Sequence, residues 1–356
     1  MKVLFKLLIG LLGLFAFLLL SLYFLGSSRV SPVAWEPAPL PGLKGDFAPN
    51  EKLRKAKHIL KNIGIGPEDI TRGSDGFFFT GLEDGRIVRF KPDGIYEEFV
   101  NTGGRPLGMH FDRVGNLIVA DADKGLLSIS PNKTITVLTD SVAGEKMIFV
   151  DDLDIASDGT IWFSDASTIF NFQTTFYNFI EGSHTGRLLS YSPATQKTTV
   201  HMDNLFFANG VALSANEEFV LVNETGTGRI HRLWLKGNKK GTKDQFHPGL
   251  AGNPDNISFN GKDTFWVALP AVRMKINDAM ADKPFVRTIL AGLPLSWIQA
   301  DTHYGFIVGL DMQGNVTHNF QDPDGKCSSI TSVNQFGNTL YLGSLNMQAA
   351  CTLELN

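Results

Sequence analysis

Cysteine is almost absent from this chain of 356 residues, which has only Cys327 and Cys351. Two thiols cannot make a disulfide-dense scaffold or a four-thiolate zinc site. They either bridge each other, if that part of the chain lies outside the cytoplasm, or pack as two small buried hydrophobes. A basic surplus is also missing. There are 32 Lys and Arg against 36 Asp and Glu, a formal net charge of -4, so nucleic acid is not an expected partner. Disorder is excluded by a hydrophobic content of 43%, enough to bury a large core. Charge itself is missing from one place: no charged residue lies between Lys6 and Arg29.

That uncharged stretch is the core of an apolar segment, 3–25, long enough as a helix to cross a hydrocarbon layer of roughly 30 Å. Lys2 and Lys6 precede the main run, which favours a cytoplasmic N-terminus and a chain that continues outside. A cleaved signal peptide would have a shorter apolar region and a small-x-small site, and residues 20–26 offer none. The expected organisation is a transmembrane signal-anchor over 1–26, a stalk over 27–49 and a globular domain over 50–356. Pro32, Pro37, Pro39 and Pro41 mark the stalk, because proline resists both helix and sheet.

What is abundant is Phe (27) and Gly (36), a mix that suits short strands and tight turns. One pattern recurs six times: an apolar pair, a polar turn with Gly or Asn, then a β-rich run. It begins near Asp69, Gly108, Asp152, Gly210, Asn256 and Ile330. Turns such as Asp158-Gly159 and Asn260-Gly261 fit the positive φ of hairpins. Six repeats of about forty residues predict an all-β, six-bladed β-propeller with an N-terminal transmembrane helix. The long gap between the fifth and sixth repeats predicts a short helix over 272–290, placed over one face.

In a propeller the innermost strands converge on one axis, so equivalent positions form a ring. Those positions hold Glu68, Asp151, Asn209 and Asp255, with Asn256 beside the last. Each alone is also an ordinary turn or strand-entry residue. Together they are converging oxygen donors that would repel or go unsatisfied without a cation. Calcium accepts six to eight such oxygens, and the absence of Cys among them disfavours structural zinc.

Gly66-Pro67-Glu68-Asp69, Phe207-Ala208-Asn209-Gly210-Val211 and Gly252-Asn253-Pro254-Asp255-Asn256-Ile257 resemble the superfamily of gluconolactonase, regucalcin, paraoxonases and strictosidine synthase. Gly104-Arg105-Pro106-Leu107-Gly108, Val119-Ala120-Asp121-Ala122 and Lys124-Gly125-Leu126-Leu127 narrow the resemblance to the strictosidine-synthase-like group that includes adipocyte plasma membrane-associated protein. It covers about 50–356. The resemblance implies a channel calcium at Glu68, Asn209, Asp255 and Asn256, with Asp151 where the family usually has Asn. Some paraoxonase-like members hold a second calcium near the positions of Asp69 and Asp152.

Two departures are visible. The paraoxonase His pair has no counterpart at Pro106-Leu107-Gly108 or 120–123, and His110 is offset. The Glu of true strictosidine synthase falls at Thr331, which makes amine–aldehyde condensation an unexpected activity. The expected function is a calcium-dependent, membrane-anchored hydrolase of a small-molecule ester or lactone. Asp255 is the base or nucleophile carried over from the resemblance, and His110, Asp121 and Asp123 are weaker proton carriers. The alternative is a non-catalytic, membrane-tethered propeller with a structural calcium. Four glycosylation sequons lie at Asn132, Asn223, Asn256 and Asn315.

Overall fold

The structure, a computed structural model, describes residues 1–298 and 303–355. It divides into a helical unit and a β unit. The β unit, built from 38–172, 184–273 and the described residues from 303 on, holds six four-stranded antiparallel sheets. Their innermost strands are Ile70–Arg72, Pro106–Phe111, Val150–Ile155, Ala208–Leu213, Ile257–Phe259 and Ile330–Phe336. Each touches the innermost strand of the next sheet, and the last touches the first. This closed ring is the predicted six-bladed propeller.

The ring is locked by its two chain ends. The outer strand of the sixth blade is Lys57–Ile59, which pairs with Ala350–Glu354 in the register Lys57↔Thr352 and Ile59↔Ala350. Cys351 on that last strand is disulfide-bonded to Cys327, so the bridge, not the pair of free thiols, is what forms. Between blades the core is aliphatic and aromatic. Phe219, Phe246, Phe265 and Phe306 share one cluster, and Phe78, Phe90 and Tyr341 share another.

Four innermost strands carry a bulge at the same level. The register shifts between Pro106 and Met109, Val150 and Leu153, Ala208 and Val211, and Ile330 and Val333. In the other two blades the strand begins just after that level, at Ile70 and Ile257. Each blade therefore places two consecutive irregular residues there, because a bulge adds a residue and re-aims its side chain.

The segment expected to be a free stalk is packed instead. Within the β unit Ala38 is buried and Phe47 sits in the core, and Arg273 donates to the carbonyls of Ala38 and Pro39. Proline excluded helix and sheet here as expected, but its open carbonyls became acceptors for a buried guanidinium.

The helical unit contains the helix Lys2–Ser27, the segment up to Pro37, the helix Thr175–Glu181 and the helices Lys275–Ala279, Pro284–Ala291 and Leu295–Ile298. The first is 26 residues long with a mean hydropathy of 2.7 in its most apolar window, and is long and apolar enough to cross a membrane. The insert expected as one short helix over 272–290 carries two, broken near Pro284, which starts the second.

Candidate functional site

The irregular pairs are Glu68-Asp69, Leu107-Gly108, Asp151-Asp152, Asn209-Gly210, Asp255-Asn256 and Thr331-Ser332. The carboxylates of Glu68, Asp151 and Asp255 converge, each offering an oxygen within 4.8 Å of the others. Glu68, Asp151, Asn209 and Asn256 are buried. Glu68 Oε2, Asn209 Oδ1 and Asn256 Oδ1 are enclosed and accept no hydrogen bond. Buried acceptors are almost always paired, so two orphaned amide oxygens beside three carboxylates, one of which has an orphaned oxygen itself, are a donor set without an acceptor. That chemistry fits a hard cation. Of the residues named from the sequence, Glu68, Asp151 and Asp255 converge, while Asn256 hydrogen-bonds Glu68 and Asn209 hydrogen-bonds Asp255.

The frame around them is rigid. The Glu68 carbonyl accepts from Thr331 Oγ1 at 2.8 Å and Ser332 Oγ at 2.9 Å. Asn256 Nδ2 donates to Glu68 Oε1 at 3.0 Å, and its backbone N–H donates to the Thr331 carbonyl at 3.0 Å. The Asp255 carbonyl accepts from the amide of Asn223 and from Gly210 N–H. Gly210 is required here, since a Cβ would lie 2.4 Å from Ile257 N.

Burial raises all three carboxyls, and repulsion adds to it at Glu68 and Asp151. Burial first, then Asp255, Asp151 and Asp69, push the Glu68 carboxyl well above its ordinary range, with Arg105 opposing. Burial and then Asp255 raise Asp151. Burial raises Asp255 to about 7, against a hydrogen bond from Asn209. Three carboxylates this close do not all ionise without a counter-charge.

Part of that counter-charge was missed in the sequence. Arg105 is buried, donates through Nη1 to the Gly66 carbonyl at 3.2 Å and lies over the Phe172 ring at 5.1 Å. Its Nε and Nη2 have no partner. Phe149 links Phe172 (6.0 Å) and Phe207 (5.2 Å) into an aromatic wall beside it. Phe207 holds a left-handed backbone, φ 66°, two residues before Asn209. The only sequence signal for Arg105 was Gly104-Arg105-Pro106, a motif that gave the family but not the role.

The other candidates lie elsewhere. His110 is at a deeper level and lines a small cavity with Asp69, Asp152, Asn256, Ser258, Ser332 and Asn334. It does not join the three carboxylates, and its charged neighbour is Asp154. Asp69 accepts from Met109 N–H at 3.0 Å and Asn334 Nδ2 at 2.7 Å, and Asp152 accepts from Val211 N–H at 2.8 Å. These hydrogen bonds staple blades together, although burial and then the Asp69 charge still hold the Asp152 carboxyl well above its ordinary range. Asp121 is consumed by its own loop. It accepts from Arg105, Asp123 and Lys124 N–H at 3.0 Å each and from Thr102 Oγ1 at 2.7 Å.

Two family models match the chain: strictosidine synthase over 151–238 and strictosidine synthase-like, N-terminal, over 45–90. Adipocyte plasma membrane-associated protein of Danio rerio is 34% identical, over 98% of this chain and 90% of its own length. The chain belongs to the strictosidine-synthase-like family, in the group of that protein. Among solved structures, a gluconolactonase of Xanthomonas campestris superposes with a TM-score of 0.62 at 16% identity, covering 92% of this chain and 99% of its own. The calcium-binding protein regucalcin of Agrobacterium tumefaciens gives 0.60 at 12%, covering 84% and 93%. At such identities the two structures show the shared propeller fold. Arg105 is a buried cation whose charge opposes the rise of the Asp151 carboxyl.

Proposed function

We propose that this chain is a membrane-anchored, calcium-dependent hydrolase of esters or lactones, with the ion held by Glu68, Asp151, Asn209, Asp255 and Asn256. This reading rests on the three converging carboxylates of Glu68, Asp151 and Asp255, with the Glu68 Oε2, Asn209 Oδ1 and Asn256 Oδ1 acceptors buried and orphaned among them. Bound calcium supplies +2, Arg105 supplies +1, and together they balance the -3 of the carboxylates. Calcium at such a site polarises a substrate carbonyl and stabilises the developing oxyanion. The protein's own share is to orient and to move a proton. Asn223 and Gly210 fix the Asp255 backbone, so its carboxyl is held in place to take a proton from water. The aromatic wall of Phe149, Phe172 and Phe207 excludes bulk water and offers an apolar surface to an acyl or aryl group.

The test is Asp255→Asn on the full chain with a phenyl ester at saturating calcium. The variant keeps an oxygen ligand and loses the base, so turnover should fall at least about a hundredfold. Wild-type turnover in that variant contradicts the assignment. If wild type hydrolyses none of a panel of esters and lactones, the non-catalytic calcium-binding propeller becomes the better reading. The extra charge of Asp151 favours that second reading, because it lowers the Lewis acidity of the ion.

The apolar helix is proposed to anchor the chain with its N-terminus in the cytoplasm, in keeping with Lys2 and Lys6 and with the disulfide, which needs an oxidising compartment. Expression in a glycosylating secretory host checks this. Asn132 and Asn315 are exposed whereas Asn223 and Asn256 are buried. Glycan should appear at Asn132, and an unmodified chain would contradict the orientation.

A further inference from the structure

The helical unit carries an apolar surface besides its membrane-length helix. Trp297 is 75% exposed, Phe285 64% and Ile276 59%, with Met274 and Val286 also in the open. All five fall in 274–298. Five large apolar side chains exposed within this one segment exceed the scattered single ones of an ordinary surface and mark an interaction site.

The exposure is built in. The opposite face of the Pro284–Ala291 helix packs inward through Arg287, Thr288 and Ala291. Arg287 donates to the carbonyls of Val33, Ile180, Glu181 and Ala281 and lies over the Trp35 ring at 4.3 Å. One buried guanidinium thus ties four segments together and fixes which side of the helix faces out.

The same helix is clamped to the end of the membrane-length helix. A Cβ on Gly26 would lie 1.7 Å from the Thr288 carbonyl oxygen, and one on Gly292 would lie 2.1 Å from that of Leu22. The two backbones therefore touch through a glycine on each side, Gly26 against Thr288 and Gly292 against Leu22. Tyr23 stacks on Phe285 with ring centroids 5.1 Å apart. Arg29 Nη1 donates to the Ala291 carbonyl at 2.7 Å, closing the shorter helix at its C-terminus. The exposed patch is thus continuous with the last turns of the segment that is to leave the bilayer.

We propose that the 274–298 face lies in the headgroup–acyl boundary of the membrane that the N-terminal helix spans, with lipid as its partner. Trp297 and Phe285 suit that layer, where aromatic residues are enriched, and a short amphipathic helix lies in its plane. Lys275, exposed on the same segment, can meet lipid phosphates. A second protein on this face would have to displace lipid at the mouth of the anchor, so continuity with the anchor favours lipid. The inference rests on the anchoring proposed above.

The experiment uses the full chain reconstituted in phosphatidylcholine vesicles. Flotation first reports anchoring. The chain has 5 Trp, so the difference in emission between wild type and Trp297→Phe isolates Trp297. The expected result is that lipids brominated near the headgroup end of the acyl chains remove the Trp297 emission, while aqueous iodide leaves it. Floating protein whose Trp297 is quenched by iodide and not by bromolipid overturns this inference and leaves the anchor standing. Trp297 shielded from both quenchers, with a cross-linked dimer, also overturns it in favour of a second copy. Protein that does not float overturns the anchoring and this inference together.

Discussion

At the scale of single residues, acidic side chains divide by how many donors they already hold. Glu68, Asp151 and Asp255 face one another with few donors, whereas Asp121, Asp165 and Glu224 are saturated. The latter three end the second strands of blades two, three and four. Each accepts a backbone N–H from just before the first strand of its own blade: Arg105 and Phe149 immediately before it, and Phe206 two residues before. Sequence alone cannot separate the two classes, which is why Asp121 resembled a proton carrier. Asp121→Ala would strand Thr102 and three N–H groups. Unpaired buried donors cost about 1–3 kcal/mol each, less what water recovers. Chemical denaturation should show a loss of about 2–4 kcal/mol. A loss within about 0.5 kcal/mol, the range of a neutral surface change, would contradict the hub role. Thr331 likewise proves to be a support, holding the Glu68 carbonyl, where the sequence suggested only the absence of a Glu.

At the scale of elements, the blades were legible because their signal is periodic. Asp-Gly and Asn-Gly turns and the apolar pairs recur, and the positions of Glu68, Asp151, Asn209 and Asp255 follow from aligning them. The bulges were not legible. A bulge is a two-against-one count across a ladder, and one strand's sequence does not reveal it. Yet the bulge explains why the site residues come as adjacent pairs, one member converging on the cluster and the next, such as Asp152, stapling the neighbouring blade. The stalk misled for a related reason. Proline reports which regular structures a segment avoids, not whether a partner such as Arg273 binds its carbonyls. Arg105 and Arg287 were invisible as organisers, because a buried arginine is recognised only by what surrounds it.

At the scale of the whole molecule, sequence and structure agree on a propeller whose channel concentrates negative charge, in a chain with a membrane-length helix. Three raised carboxyl groups tie ion binding to pH. Asp255 sits near 3.8 when free and about 7 in the ion-free fold. A carboxyl raised on folding stabilises the fold fully below its free value, and that contribution is lost as pH rises through the folded one. Ion-free protein should therefore lose stability between about pH 4 and pH 7 from this group, with Glu68 and Asp151 acting in the same direction. Calcium at the proposed site would compete with those protons, so its stabilisation should grow over the same range, reaching about 2.7 kcal/mol at a hundredfold excess over its dissociation constant.

The most direct measurement is the thermal midpoint of the full chain across that pH range, with chelator and with calcium, for wild type and Glu68→Gln. Chelated wild type should melt lower as pH rises, calcium should reverse the trend, and Glu68→Gln should blunt both effects. A midpoint indifferent to calcium and chelator at every pH would contradict the channel ion on which the proposed chemistry depends.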